Sequence, residues 1–179
     1  MSYNFIETFT NKQYEFLNPQ VDQVCIEDIS QALSMICRYS GHVKSFYSVA
    51  EHSCIVSDKV FALTGDYQLA FDALLHDASE AYLTDIPRPI KPHLNNYFDI
   101  EVLSESCIQK ALGCNPMNDL IKRIDTNIVR DEAEQLFVSV PSWASDYELV
   151  NITVESMPPE KANSEFMNRY NVLKDALGK

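Results

Sequence analysis

Glycine is scarce in this chain, with 4 among 179 residues, and tryptophan occurs once. Together with 46% apolar residues, that scarcity excludes a disordered or fibrous protein and leaves enough material for a real core. No apolar run approaches the roughly 18 residues that a membrane span needs. The opening Met1-Ser2-Tyr3-Asn4 begins no secretory signal. A cytoplasmic protein with no membrane partner is therefore expected. The five cysteines (Cys25, Cys37, Cys54, Cys107, Cys114) are odd in number and form no CxxC pair. They read as small buried hydrophobes in a reducing compartment, not as zinc ligands or a disulfide framework. Positive charge is short as well: 14 Lys and Arg stand against 26 Asp and Glu, a net charge of −12. A duplex-binding protein would show a basic face, so nucleic acid is not an expected partner. An acidic enzyme can still hold an anionic small molecule by concentrating positive charge locally, through a bound metal and a few Lys or Arg. With no internal repeat, low-complexity tract or Gly/Ser linker, one domain over residues 1–179 is expected.

The hydrophobic pattern is helical. An extended, aromatic lead-in (Phe5, Phe9, Tyr14, Phe16) with a short hairpin around Asn18-Pro19-Gln20 precedes a helix over 28–37. Ser48-Val49-Ala50-Glu51 is a capping box ahead of apolar positions at Val49, Val56, Val60 and Leu63, and Gly65 is a natural stop. A third helix is predicted over 67–82. Alternating prolines in Asp85-Ile86-Pro87-Arg88-Pro89-Ile90-Lys91-Pro92 forbid a helix there. Further helices are predicted over 96–112 before Gly113, from Asn115-Pro116 to about 138, and from Pro158-Pro159 to near 177, with an irregular stretch around Val140 to Trp143. The fold class is all-α, with about six main helices.

Histidine occurs only four times, yet two histidines fall on apolar helical runs with acidic company: Glu51-His52, and His76-Asp77 followed by Glu80. Asp125 lies on a third run. Taken singly, each would more often be a satisfied core histidine or a solvated carboxylate. As a set, His52, His76, Asp77 and Asp125 offer two imidazoles and two carboxylates. That donor set suits Mn, Fe, Co, Ni or Zn and is poor for a thiolate site. Such an ion would keep open positions for water and a phosphate oxygen.

The order His52…His76-Asp77…Asp125 resembles the HD superfamily of metal-dependent phosphohydrolases, and most of all the small bacterial 5′-deoxynucleotidase type and phage dATP triphosphohydrolases. The resemblance covers roughly residues 25 to 135. It rests on Ile29-Ser30-Gln31-Ala32-Leu33-Ser34, Arg38-Tyr39-Ser40-Gly41-His42, Tyr47-Ser48-Val49-Ala50-Glu51-His52-Ser53 and the specific run from His76-Asp77-Ala78-Ser79-Glu80 to Asp85-Ile86-Pro87-Arg88-Pro89-Ile90-Lys91. It implies an HD-domain helical bundle in which His52, His76, Asp77 and Asp125 bind a divalent transition metal. Glu80 would be the general acid/base, Asp85 would lie against a 2′-deoxyribose, Arg38 would contact phosphate, and Tyr39 would stack on or border the base. The bacterial type carries Arg-Trp where this chain has Arg38-Tyr39. Lys91 and Arg88 would add positive charge, while His42 and Trp143 receive no role. The implied activity is hydrolysis of a 2′-deoxynucleotide, from monophosphate to deoxynucleoside and phosphate, or, as in the phage type, from a triphosphate with release of triphosphate. A non-catalytic nucleotide-binding module and a purely structural helical protein are the competing classes, and a homo-oligomer is left open.

Overall fold

The computed structural model describes residues 4–179. Among these residues the fold is mostly helical, as expected: α1 (Ile26–Met35), α2 (Val49–Thr64), α3 (Tyr67–Leu74), α4 (Glu80–Leu83), α5 (Tyr97–Leu112), α6 (Asp119–Leu136) and α7 (Pro159–Leu177). A two-stranded hairpin of β1 (Ile6–Glu7) and β2 (Gln13–Tyr14) leads in. It reverses over residues 8–12, with Thr8 N–H bonded to Lys12 and Asn11 at φ 62°, not at Asn18-Pro19-Gln20 as the proline had implied. That proline instead leads into a 3₁₀ turn at Val21–Gln23. β2 is anchored by Tyr14, whose ring stacks on Tyr82 at 3.8 Å between centroids.

The helices pack because each carries one apolar face. α1, α2 and α3 close on α7 around Leu33, Val49, Phe71, Leu74 and Phe166. A second core joins α2, α3 and α6: Ile121, Ile124 and Ile128 recur at helical spacing on α6 and meet Val56, Val60 and Ala73. Asp125 lies beside that stripe on α6.

Two local departures from the sequence reading matter for the site. The predicted 67–82 helix breaks in two. α3 ends at Leu74, residues 75–79 run on tight i→i−3 hydrogen bonds (Ala78 to Leu75, 3.1 Å), and α4 follows. The cause is His76, whose Nδ1 lies 2.7 Å from the Ala73 carbonyl. That carbonyl would otherwise accept the Asp77 N–H, so the side chain competes with the helix ladder and ends it. The capping box at α2 is only half formed. Ser48 Oγ accepts the Glu51 N–H at 3.1 Å, but the fully buried Glu51 carboxylate turns away and accepts N–H groups of Glu155, Ser156 and Met157 at 2.7 to 3.0 Å. Asp131 likewise accepts from Val150 and Ile152, so α2 and α6 together hold the strap that leads to α7.

Smaller corrections follow the same logic. α6 starts at Asp119 and not near Pro116, because Asn118 provides the cap, accepting Ile121 N–H at 2.9 Å. Gly65, at φ 66°, closes α2 where a left-handed residue is required. All five cysteines are free. Cys54, Cys107 and Cys114 are buried, and burial pushes the Cys54 thiol up to about 12, whereas Cys25 and Cys37 are only half-buried. No helix among the described residues is long and apolar enough to cross a membrane.

Candidate metal centre

Four segments deliver the side chains. α2 presents His52, one turn after its cap. The break after α3 presents His76 and Asp77. α6 presents Asp125, and the 3₁₀ turn Arg38–Gly41 presents Arg38 and Tyr39. Ligand atoms of His52, His76 and Asp125 all lie within 4.8 Å of one another, so this trio could hold a metal ion. Asp77 stands beside it, with Oδ2 3.2 Å from His76 Nε2 and 3.7 Å from His52 Nε2.

The nitrogen atoms fit such an ion. The Ala73 carbonyl can only accept, so His76 Nδ1 carries the proton and Nε2 offers a lone pair. Buried Nε2 has no hydrogen-bond partner among the described residues, yet it faces the carboxylate oxygens of Asp77 and Asp125. His52 is held the same way: Nδ1 is 2.7 Å from Glu132 Oε1, which leaves Nε2 3.1 Å from Asp125 Oδ1. Two ligands bonded to one ion at about 2.1 Å stand roughly 3.0 to 3.4 Å apart, so that spacing suits a shared metal. A lone pair set against carboxylates invites a cation between them, a proton or a metal ion. Burial opposes charge on His76, but Asp77 and Asp125 outweigh it and hold its pKa well above the ordinary imidazole value, so a bound metal would take the place of that proton. Burial likewise opposes ionisation of Asp77, yet His76 holds it down at about 2.

Glu132 is the residue that sequence reasoning missed. It sits two turns after Asp125 on the same face of α6, so one helix grips both nitrogens of His52. Fully buried, it accepts from His52, from Tyr47 OH at 2.8 Å, from Tyr39 OH and from Arg38 Nη2 at 3.3 Å. Burial would raise its pKa, but Arg38 and then His52 hold it at about 2. The seven-residue spacing from Asp125 was the available signal; nothing in the sequence pointed to Tyr47. Replacing Glu132 by Gln keeps the volume but removes the charge that orients His52. Metal affinity is expected to fall by about 10- to 100-fold, as for other groups that support a ligand from behind. Metal titration followed by calorimetric melting checks this, and wild-type affinity in Glu132→Gln would remove Glu132 from that role.

Glu80, Asp85, Arg38 and Lys91 are electrostatic neighbours of Asp77 or of one another around the trio. Glu80, at the start of α4, is buried, and one of its oxygens has no partner among the described residues. Burial and the neighbouring Asp77 and Asp85 hold its carboxyl well above the usual range. Asp85 is half-buried and raised by burial. Thr84 before it adopts φ 68°, ψ 157°, a costly conformation for a β-branched residue that aims the chain out of α4. Arg38 is not a free cation. Its side chain is 12% exposed and lies between Glu132 and Asp77, 3.7 Å from the latter. Tyr39 gives its hydroxyl to Glu132 and its ring to an edge contact with Phe137, so it forms a wall of the centre. Lys91 is paired with Glu101 at 2.7 Å and lies over the Tyr97 ring. His42 is exposed, and Trp143 packs edge-on against Phe137 and Tyr147.

No protein-family model matches the chain. It is similar along nearly its whole length to two bacterial proteins. One is an uncharacterized protein of Rhodobacter capsulatus, 29% identical over 188 residues, covering 94% of this chain and 94% of that protein. The other is the uncharacterized protein YfdR of Escherichia coli, 34% identical over 177 residues, covering 96% of this chain and 97% of that protein. With end-to-end similarity at that identity, the chain belongs to the same family as YfdR.

Proposed function

We propose that the protein is an HD-type, metal-dependent phosphohydrolase that cleaves the phosphate ester of 2′-deoxynucleotides. The observation that carries this reading is the pairing of the His52, His76 and Asp125 trio with a buried carboxyl, Glu80, that has one open oxygen and a raised pKa. A divalent transition metal such as Mn, Co, Fe, Ni or Zn would polarise the phosphate and make hydroxide available near neutral pH. His52, His76, Asp77 and Asp125 would hold that ion. Burial and two carboxylate neighbours, Asp77 and Asp85, push the Glu80 carboxyl toward its protonated form. It is therefore poised to protonate the leaving 5′ oxygen. Arg38, pinned by Glu132, brings fixed positive charge to the phosphate side. Attack of water on a monophosphate yields deoxynucleoside and phosphate. The same chemistry at the α-phosphorus of a triphosphate yields deoxynucleoside and triphosphate, and the loosely paired cation Arg88 at the rim favours keeping this second reading.

Asp85 is assigned to the sugar. A half-buried carboxylate can be crowded by a 2′-hydroxyl, and a site that leaves such groups clashing or unpaired discriminates strongly. Ribonucleotides are expected to be poor substrates, and Asp85→Asn or Asp85→Ala should narrow the gap. The test is chromatographic product analysis with the four dNMPs, the four dNTPs and their ribo counterparts plus Mn or Co. Equal wild-type rates on dAMP and AMP and on dATP and ATP would remove Asp85 from this role; no product from any of them would end the phosphohydrolase reading.

A further inference from the structure

Three cationic side chains form ion pairs with the carboxylates at and around the centre, and they differ in how far they are committed. Arg38 is enclosed and bridges Glu132 and Asp77. Lys91 is hydrogen-bonded to Glu101. Arg88 differs. Its side chain is 65% exposed, and among the described residues its ion pair is to Asp125, at 3.9 Å from Nη2 to Oδ2, beyond hydrogen-bond reach. The N–H donors of this guanidinium therefore find no acceptor among the described residues, although the group sits against a ligand of the centre.

The backbone explains why it is there. Pro87 and Pro89 flank Arg88, and a hydrogen bond from Ile90 N–H to the Pro87 carbonyl at 2.8 Å closes a tight turn around it. Two prolines leave little backbone freedom to lose, so the Arg88 backbone is held beside the site at small entropic cost. A metal held by Asp125 would bring a bound phosphate up beside that carboxylate. Arg88 Nη2 stands 3.9 Å from Asp125 Oδ2, while Oδ1 faces the two imidazoles, so the guanidinium borders the centre from the outer oxygen of a ligand and has a planar fork to offer an anion there. Asp77, Asp85 and Asp125 lie at the same centre, so a polyanion binding there gains from further positive charge facing it.

We propose that Arg88 is a phosphate-binding residue that closes over the metal-bound phosphate from the rim of the site. The proposal rests on the phosphohydrolase reading only for the identity of the anion. It is tested by titration calorimetry of inorganic phosphate and of tripolyphosphate into manganese-loaded protein, which needs no turnover. Arg88→Ala is expected to weaken tripolyphosphate binding by roughly 10- to 100-fold, as for lost charge-assisted hydrogen bonds, with manganese content unchanged. Arg88→Lys should fall between, and the exposed Lys110→Ala should match wild type. The same loss is expected for inorganic phosphate, which places Arg88 at the phosphate on the metal; a loss confined to tripolyphosphate would overturn that placement. Unchanged binding in Arg88→Ala would overturn the proposal. So would loss of manganese in that variant, because Arg88 would then merely support Asp125. Deoxynucleotide turnover, measured separately, tells this failure from failure of the phosphohydrolase reading.

Discussion

Elemental analysis of His76→Ala and Asp77→Ala proteins is expected to show bound metal reduced to background, with hydrolysis lost in both. The trio of His52, His76 and Asp125 brings few donor atoms together, so losing one ligand leaves too few to hold the ion. His76 is the more revealing position. Its Nδ1 is held by the Ala73 carbonyl, and its buried Nε2 faces Asp77 Oδ2 at 3.2 Å and Asp125 Oδ1 at 3.7 Å, so the ring is oriented in advance toward the carboxylates with which it would share an ion. Removing it also frees the carbonyl that ends α3, so a longer α3 with a displaced Asp77 should accompany the loss. Circular dichroism and melting separate that change from unfolding. Asp77→Ala leaves the break intact and removes only the carboxylate. If a folded Asp77→Ala protein kept both its metal and its turnover, the assignment of Asp77 to the centre would be wrong.

The second large effect is expected at Glu80. Glu80→Gln preserves size and packing at the start of α4 but cannot transfer a proton. Turnover is expected to fall by about 100- to 10,000-fold, the usual contribution of a positioned acid/base, while metal content stays the same. The substitution should not cost stability. In the wild type this carboxyl is already pushed toward its neutral form by burial and by Asp77 and Asp85, and a neutral amide suits the same surroundings. A parallel loss of metal and turnover would instead make Glu80 a ligand. Full turnover with metal bound would move the acid/base elsewhere, with Asp85 the nearest alternative. A non-catalytic binding module predicts no activity to lose in the first place, so this variant also separates the two classes.

The helices and their faces were largely legible in the sequence, because apolar periodicity and local capping are short-range signals. The stripe Ile121, Ile124, Ile128 on α6, the stop at Gly65 and the proline-barred stretch after Asp85 all stand where local rules place them. The residue types of the centre were legible too, since two of only four histidines stand on apolar runs beside acids. The break of the 67–82 helix could not be read, because it depends on where a His76 nitrogen finds a carbonyl. Glu51 looked like a capping residue and proved to be the anchor of a strap more than 100 residues away. The commitments of Arg38, Tyr39 and Lys91 were hidden for the same reason: their partners Glu132 and Glu101 become neighbours only when α6 and α5 are in place. Sequence alone determined which elements form, which faces they bury and which ligand types are on hand, because those follow from interactions within a few residues. Only the tertiary structure decided which donors and acceptors are already occupied and which, such as Glu80 Oε2 and the Arg88 guanidinium, have no hydrogen-bond partner among the described residues, because a hydrogen bond or ion pair depends on where distant segments meet.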